Sequence, residues 1–509
     1  MKTIEEINQK IDSQDATIIT ALEMTDLVDE IGTKQAAKEV DIVTTGTFGA
    51  MCSSGAILNF GHTDPPIKMN KTILNGVEAY SGLAAVDAYI GAGQINNDPY
   101  IKENYGGAHV IEDLINKKEI KLKTESYTTD CYPLKKMKTT ITIDDLNQAI
   151  MLNPRNCYQN YAAATNSRNE TIKTYMGTLL PNHGNITYSS AGALSPLLND
   201  PYFETIGPGT NIFLCGAQGQ IISEGTQHVT ETERYKDVPI SNAGTIMVTG
   251  NMKEMQPEYI KAAAMPDYGS TLYVAIGIPI PILNEDMARY TSIKEEDIKC
   301  NIVDYGIPKL NRPTIKQTNY KELRSGKIEL NGEEIPTSPM SSYKKSIEIA
   351  EELKNRIEKQ TFTINTPTRR LKHKGCIQKP LKMKQTKKIK DILPTTPTKT
   401  VTLNENIKTI AEKLIKNNIN HVPVTTKDKK ILGIITSWDI TKALTNNTTN
   451  PEKIMTKKVI TAYEDEPIDT VARRLSKHNI SAIPIINKTK QIKGLITVED
   501  ISRTYSNKK

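Results

Sequence analysis

The stretch NNINHVPVTTKDKKILGIITSWDI, residues 417–440, returns without a gap as HNISAIPIINKTKQIKGLITVEDI over residues 478–501. Pro423 pairs with Pro484, Gly433 with Gly494, Thr436 with Thr497 and Asp439 with Asp500, each pair 61 residues apart. Upstream, IKTIAEKLIKNN and IDTVARRLSKHN keep the same offset and place their apolar residues at helical spacing. Each copy therefore reads as helix, strand, turn, strand, helix. Two copies are too few for a solenoid, so the pattern predicts a pseudo-symmetric α/β pair.

The repeated G-h-h-T-x-x-D signature resembles a tandem cystathionine-β-synthase (CBS) module, with one domain over residues 389–447 and a second over 451–509. That resemblance implies an adenosyl ligand, S-adenosylmethionine, AMP or ATP, contacted by Thr436, Asp439, Thr497 and Asp500. The chemistry is suitable, because a carboxylate accepts from both ribose hydroxyls and a threonine hydroxyl donates to phosphate. The same Thr and Asp also suit a simple helix cap, and both readings stand at this point.

Outside this module the charge is uneven. The chain carries a net +7, but residues 367–400 hold eleven Lys or Arg and one Asp, so the remainder is near −3. A basic, Pro-rich stretch on a near-neutral protein reads as a solvated tether rather than a nucleic-acid surface, and residues 361–388 are expected to be a linker. The start, MKTIEEINQK, lacks an apolar core, and the longest apolar run, TLYVAIGIPIPIL, is too short for a bilayer and holds two prolines. A cytoplasmic protein without nucleic-acid or membrane partners is expected.

Residues 1–360 form the main body. TIEEINQKI, IITALEMTDLVDEIG and GAHVIEDLIN read as helices, VDIVTTGTFG as a strand entering a glycine turn, IKLKTESYTTD as an alternating strand, and SSYKKSIEIAEELKNRIEKQ as an amphipathic helix with a serine cap. The mixture predicts an α/β or α+β multi-layer catalytic body.

Six cysteines, Cys52, Cys131, Cys157, Cys215, Cys300 and Cys376, are dispersed without a CxxC pair. They favour neither a disulfide framework nor a zinc or iron–sulfur site. Cys131, in TTDCYPLKK, and Cys52, in GTFGAMCSSGA, are the nucleophile candidates. Each sits in a turn, where reactive side chains are exposed, and Lys135 and Lys136 follow Cys131 closely. An inert thiol is the competing reading for both. Cys215 is expected in the core, Cys157 at a helix start after Pro154 and Arg155, and Cys300 and Cys376 in incidental positions. His62, His109 and His183 lack metal spacing, so no metal site is expected. Arg155 either clamps a carboxylate or is a surface side chain.

Taken together, VDIVTTGTFGAMCSSGAILNFGHTDPPI (40–67), SGLAAVDAYIGAGQ (81–94), TTDCYPLKK (128–136), NPRNCYQNYAAATNS (153–167), YMGTLLPNHGNITYSSAGALSPLLNDPYFETIGPGT (175–210) and VDYGIPKLNRP (303–313) resemble the homocysteine-biosynthesis family. The resemblance spans about residues 15–360 and implies an L-aspartate semialdehyde sulfurtransferase, with the persulfide-carrying cysteine on Cys131 and a second family cysteine on Cys52. An aldehyde is an electrophile, so a persulfide sulfur can attack it. Turning an aldehyde into a thiol consumes two electrons, and the body has no flavin, nicotinamide or cluster motif to supply them. The resemblance implies a separate ferredoxin-like iron–sulfur protein as reductant. A homodimer is expected. Two other readings remain: a non-catalytic adenosyl-nucleotide sensor, and an enzyme like inosine-monophosphate dehydrogenase, which also joins a cysteine nucleophile to a CBS pair. The latter inserts its pair into a barrel, whereas here the pair is C-terminal and no barrel repeat occurs.

Overall fold

A computed structural model describes residues 1–51, 53–96, 105–381, 387–394 and 396–506. They form two units, Met1–Lys379 and Pro380–Lys509. The first is built on a large antiparallel sheet. Its strands run in the order Ile260–Met265, Gly269–Gly277, Asn211–Leu214, Ala217–Glu224, Ile246–Asn251, Gln148–Asn156, Gly55–Asn59, Asp87–Gly91, Val77–Ser81, Lys71–Leu74, Ile120–Glu125 and Lys136–Ile141, and Thr47–Ala50 also pairs with Gly269–Gly277.

Helix Gly107–Ile115 packs on strands from both halves of this sheet, Ile260–Met265 and Gly269–Gly277 on one side and Gly55–Asn59, Asp87–Gly91 and Ile120–Glu125 on the other. The sheet therefore curls around the helix, which explains why six of its nine residues are buried. A side chain at Gly107 would place its Cβ 1.9 Å from the Gly91 carbonyl oxygen, so only glycine allows the helix to start there. Helix Tyr343–Glu358 is capped by Ser342, as its sequence predicts, and lays Ile349, Ala350, Leu353 and Ile357 onto the Thr47–Ala50 and Gly269–Gly277 strands.

A second, mixed sheet runs Thr314–Asn319, Lys299–Asp304, Ala163–Thr165, Ile186–Tyr188, Glu333–Pro339, Lys327–Leu330. A three-stranded sheet holds Ile18–Thr20 parallel to Ile42–Thr44 and antiparallel Pro279–Pro281. The body is thus mixed α and β in several layers, as expected.

Several local expectations are corrected. IITALEMTDLVDEIG opens as strand Ile18–Thr20, and helix Ala21–Ile31 begins only after the Thr20 cap. Cys157 starts no helix: Pro154 lies in strand Gln148–Asn156, where the register with Ile246–Asn251 shifts between Asn153 and Asn156. A bulge tolerates proline because the ladder bond is already broken there. Cys300 is not incidental but buried in strand Lys299–Asp304, its thiol donating to the Tyr161 carbonyl at 3.2 Å.

The expected linker also differs. Residues 363–376, although many of them are exposed, are hydrogen-bonded to the body at several points. Asn365 accepts from the Asn211 amide at 2.9 Å, Leu371 is 1% exposed, and Arg369 binds both oxygens of Glu224 at 2.6 and 2.8 Å. The basic composition suggested a tether because its acidic counterpart, Glu224, lies far away in sequence.

The second unit contains the repeat. Helix Ile407–Lys416, strands His421–Thr425 and Ile431–Thr436 and helix Ser437–Thr445 are matched by Ile468–His478, Ala482–Ile486, Ile492–Thr497 and Val498–Ser506. The halves meet through His421 Nε2 and Ser481 Oγ at 2.9 Å and through the Ile431 amide donating to the Lys490 carbonyl.

Candidate active site

Strands Ile120–Glu125 and Lys136–Ile141 form a hairpin with Glu125 opposite Lys136. Its loop narrows again where Thr129 and Tyr132 exchange backbone hydrogen bonds of 3.1 and 3.0 Å. Asp130 and Cys131 are left at the tip, with the thiol exposed and 3.4 Å from the Thr129 hydroxyl. The loop rests on residues 60–69. The Leu134 amide donates to the Pro66 carbonyl, Leu134 packs on Ile67, Met69 and Val86, and the Tyr132 ring stacks on His62 at 6.0 Å. His62 is therefore an aromatic support.

Of the two lysines expected beside Cys131, Lys136 is engaged by Glu125 at 2.9 Å. Lys68 is a cation that the sequence did not single out. Its ammonium sits 5.6 Å from the centre of the Tyr127 ring. Hydrogen bonding to Tyr127, with weaker attraction from Tyr132 and Cys131, holds its pKa above the ordinary lysine value.

A cavity of about 360 Å³ lies elsewhere in the body, at the lower end of small-molecule pockets. Its wall includes Met51, Ser53, Arg155, Cys157, Tyr161, Tyr175, Ser190 and Thr271. Cys131 is not among its lining residues. Cys52 lies outside the described residues, although both its chain neighbours line the cavity. Ser53 fixes one rim by donating to the Arg155 carbonyl at 2.7 Å. The Arg155 side chain has no hydrogen-bond or carboxylate partner among the described residues, so its forked donors are available to a ligand. Cys157, with φ +48°, is buried, and burial pushes its thiol far above the ordinary range. It is a neutral wall atom at neutral pH, not a ready nucleophile. Cys215 and Cys300 are likewise buried, and burial pushes both up to about 12. Among the described residues no group of His, Cys, Asp and Glu is suited to a metal, and no helix is long and apolar enough to cross a membrane.

In the second unit Thr436 and Asp439 form a capping box, the Asp439 amide donating to Thr436 Oγ1 at 3.2 Å and the Thr436 hydroxyl to Asp439 Oδ2 at 2.7 Å. Thr497 and Asp500 repeat it at 3.2 and 2.8 Å. The cap is therefore real in both copies. It uses Oδ2 in each aspartate, and Oδ1 accepts no hydrogen bond among the described residues. Both side chains are half-buried.

Residues 16–364 match the family described as homocysteine biosynthesis enzyme, sulfur-incorporation, and residues 389–446 and 452–507 match the CBS domain. The chain is 54% identical to the L-aspartate semialdehyde sulfurtransferase of Methanocaldococcus jannaschii, over 100% of both chains. It is 50% identical to the enzyme of the same name from Methanosarcina acetivorans, over 99% of this chain and 98% of that one. Among solved structures, the CBS domain pair of protein MJ0100 in complex with 5′-methylthioadenosine and S-adenosyl-L-methionine is 48% identical, with 24% of this chain and 99% of that chain covered and a TM-score of 0.24. The chain belongs to the sulfur-incorporating homocysteine-biosynthesis enzymes and is a sulfur-transferring enzyme with a C-terminal CBS pair.

Proposed function

We propose that the protein converts L-aspartate semialdehyde into homocysteine. The observation that carries this reading, beside the kinship, is the guanidinium of Arg155, without a partner among the described residues, on the wall of a small-molecule-sized cavity. It suits the substrate carboxylate, which would fix the aldehyde end by a bidentate grip. Cys131 takes up sulfur as a persulfide at the exposed hairpin tip, where a sulfur donor can reach it. The terminal sulfur then adds to the aldehyde carbon. Cys52, between two cavity-lining residues in sequence, is the second thiol for passing sulfur inward.

Reduction of the adduct to the thiol takes four electrons, two to cleave the S–S bond and free Cys131 and two to replace the hydroxyl by hydrogen with loss of water, and a separate ferredoxin-like iron–sulfur protein supplies them. The working form is a homodimer, and neither nucleic acid nor membrane takes part. The CBS pair binds an adenosyl ligand, S-adenosylmethionine first, with AMP or ATP next. The Oδ1 atoms of Asp439 and Asp500, which accept no hydrogen bond among the described residues, accept from ribose hydroxyls while Oδ2 keeps the cap, and Thr436 and Thr497 stand beside them.

The test is homocysteine formation from aspartate semialdehyde, a polysulfide donor and a reductant, with wild type against Cys131→Ser. Homocysteine from wild type and its loss in the folded variant are expected. A wild type that makes none rejects the substrate, and an active Cys131→Ser rejects the carrier.

A further inference from the structure

Three segments distant in sequence meet behind the Arg155 cavity. Each brings one tyrosine: Tyr161 from NPRNCYQNYAAATNS, Tyr175 from the start of YMGTLLPNHGN, and Tyr305 from VDYGIPKLNRP. The Tyr161 hydroxyl donates to the Tyr175 hydroxyl at 3.0 Å, and the hydroxyls of Tyr175 and Tyr305 lie 2.7 Å apart. Tyr161 and Tyr175 line the cavity, whereas Tyr305 is 9% exposed and stands behind them. The Arg312 guanidinium lies 4.1 Å from the centre of the Tyr305 ring, and its buried Nε has no hydrogen-bond partner among the described residues. On the same cavity wall Thr271, 1% exposed, has a hydroxyl without a partner among the described residues.

Burial pushes the phenols of Tyr161 and Tyr305 far above the ordinary tyrosine range. Both keep their protons at neutral pH. Tyr175 sits between them. Tyr161 donates to Tyr175, and the Tyr175–Tyr305 bond can run either way; when Tyr305 donates, the proton of Tyr175 is left for the cavity, and a negative charge formed on its oxygen meets two hydroxyl donors. An arginine lies one ring further out.

We propose that Tyr175 is a catalytic acid, giving its proton to the carbonyl oxygen of the aldehyde as sulfur adds, with Tyr161 and Tyr305 as positioning residues. This rests on the reading of the cavity as the semialdehyde site. In the step, the persulfide anion forms a C–S bond to the carbonyl carbon, and the C=O π pair moves onto oxygen. That oxygen takes the Tyr175 proton, giving a hydroxyl adduct and a phenolate. Water returns the proton to the phenolate. No electron is gained or lost here; reduction of the adduct is a separate, later event.

The experiment measures kcat and KM for aspartate semialdehyde in the full-length protein, with thermal midpoints as a check on folding. Tyr175→Phe should lower kcat by about 10²–10⁴-fold, the usual share of a general acid, while KM changes less than about threefold. Tyr305→Phe keeps the cavity surface and should lower kcat by a smaller factor, about 3–30-fold, at unchanged KM. A Tyr175→Phe enzyme within threefold of wild-type kcat overturns the proposal, as does a loss confined to KM. If Tyr175→Phe does not fold, Tyr305→Phe decides, and an unchanged kcat overturns it. A wild type inactive on aspartate semialdehyde removes the functional reading and this proposal with it. An active wild type beside an active Tyr175→Phe removes the tyrosine alone.

Discussion

Sulfur loading should find Cys131 and leave Cys215 and Cys300 untouched. The perturbation is exposure of the native protein to a polysulfide donor, with wild type and Cys131→Ser in parallel. Cys215 and Cys300 are 0% exposed, and burial pushes their thiols up to about 12. At pH 8 a thiol with a pKa of about 12 is thiolate in roughly one molecule in 10⁴, against about a quarter for an unperturbed thiol near 8.5. The reactive form is thus suppressed about 2,000-fold before access is considered. A donor can reach Cys131, whose side chain is exposed at a hairpin tip. Mass spectrometry of proteolytic peptides should show one added sulfur on the peptide with Cys131, absent from Cys131→Ser. Cys215 and Cys300 should load only after denaturant opens the core. Loading of either in the native protein at a rate within tenfold of Cys131 would refute the burial argument. Loading confined to Cys52 would move the carrier role there.

Arg155→Met should raise KM for aspartate semialdehyde by about 10–100-fold, equivalent to a charge-assisted hydrogen bond of about 1.5–3 kcal/mol, and steady-state kinetics would detect it. In the second unit, Asp439→Ala with Asp500→Ala should abolish the thermal shift that S-adenosylmethionine gives the full-length protein, a shift worth about 2.7 kcal/mol at a hundredfold excess over Kd. Each substitution also removes the reciprocal half of a capping box, the Asp oxygen that accepts from the Thr amide, so a fall of about 1 kcal/mol in stability without ligand is expected from denaturant melts. Asp41 is fully buried with Lys2 and Lys10 each at 2.8 Å. Burial raises its pKa, but the hydrogen bonds from Lys10, Lys2 and the Thr17 amide outweigh this and leave it below the ordinary aspartate value. A lowered folded pKa means that this contribution is present above the unfolded value of about 3.9 and is lost as pH falls through the folded one. Asp41→Asn should therefore melt earlier than wild type at pH 7, by about 1–3 kcal/mol because both lysines are partly exposed, with the gap closing in acid.

The second unit was legible in the sequence because its information is local and doubled. An offset of 61 residues aligns helix, strand, strand and helix at once, and the Thr and Asp that suggest a ligand also make the caps that end the strands. In the body, single elements were legible where one face is buried, as in the alternating strand Ile120–Glu125. Their order was not. Gly55–Asn59 pairs with Gln148–Asn156, and Thr47–Ala50 with Gly269–Gly277, and no residue in one strand of an antiparallel pair specifies so distant a partner. Pro154 with Arg155 reads as a helix start because proline suits the first helical turn; only the bulge against Ile246–Asn251 makes it a strand residue.

The site divides in the same way. A lone cysteine in a turn and an arginine beside a proline stand out in sequence, and the structure places one at an exposed tip and the other on a cavity wall. Lys68 and the tyrosine cluster did not stand out, because their meaning arises only when residues 68 and 131, or 161, 175 and 305, are brought together. On the proposed reading, the separation of carrier thiol and cavity follows from the chemistry. Loading sulfur requires a thiolate that a donor can touch, so Cys131 must be wet. Adding sulfur to an aldehyde requires a carbonyl held among fixed donors with water excluded, so Arg155 and Tyr175 must be sheltered. One pocket serves both needs poorly. An exposed hairpin tip for uptake and a walled cavity for addition serve each.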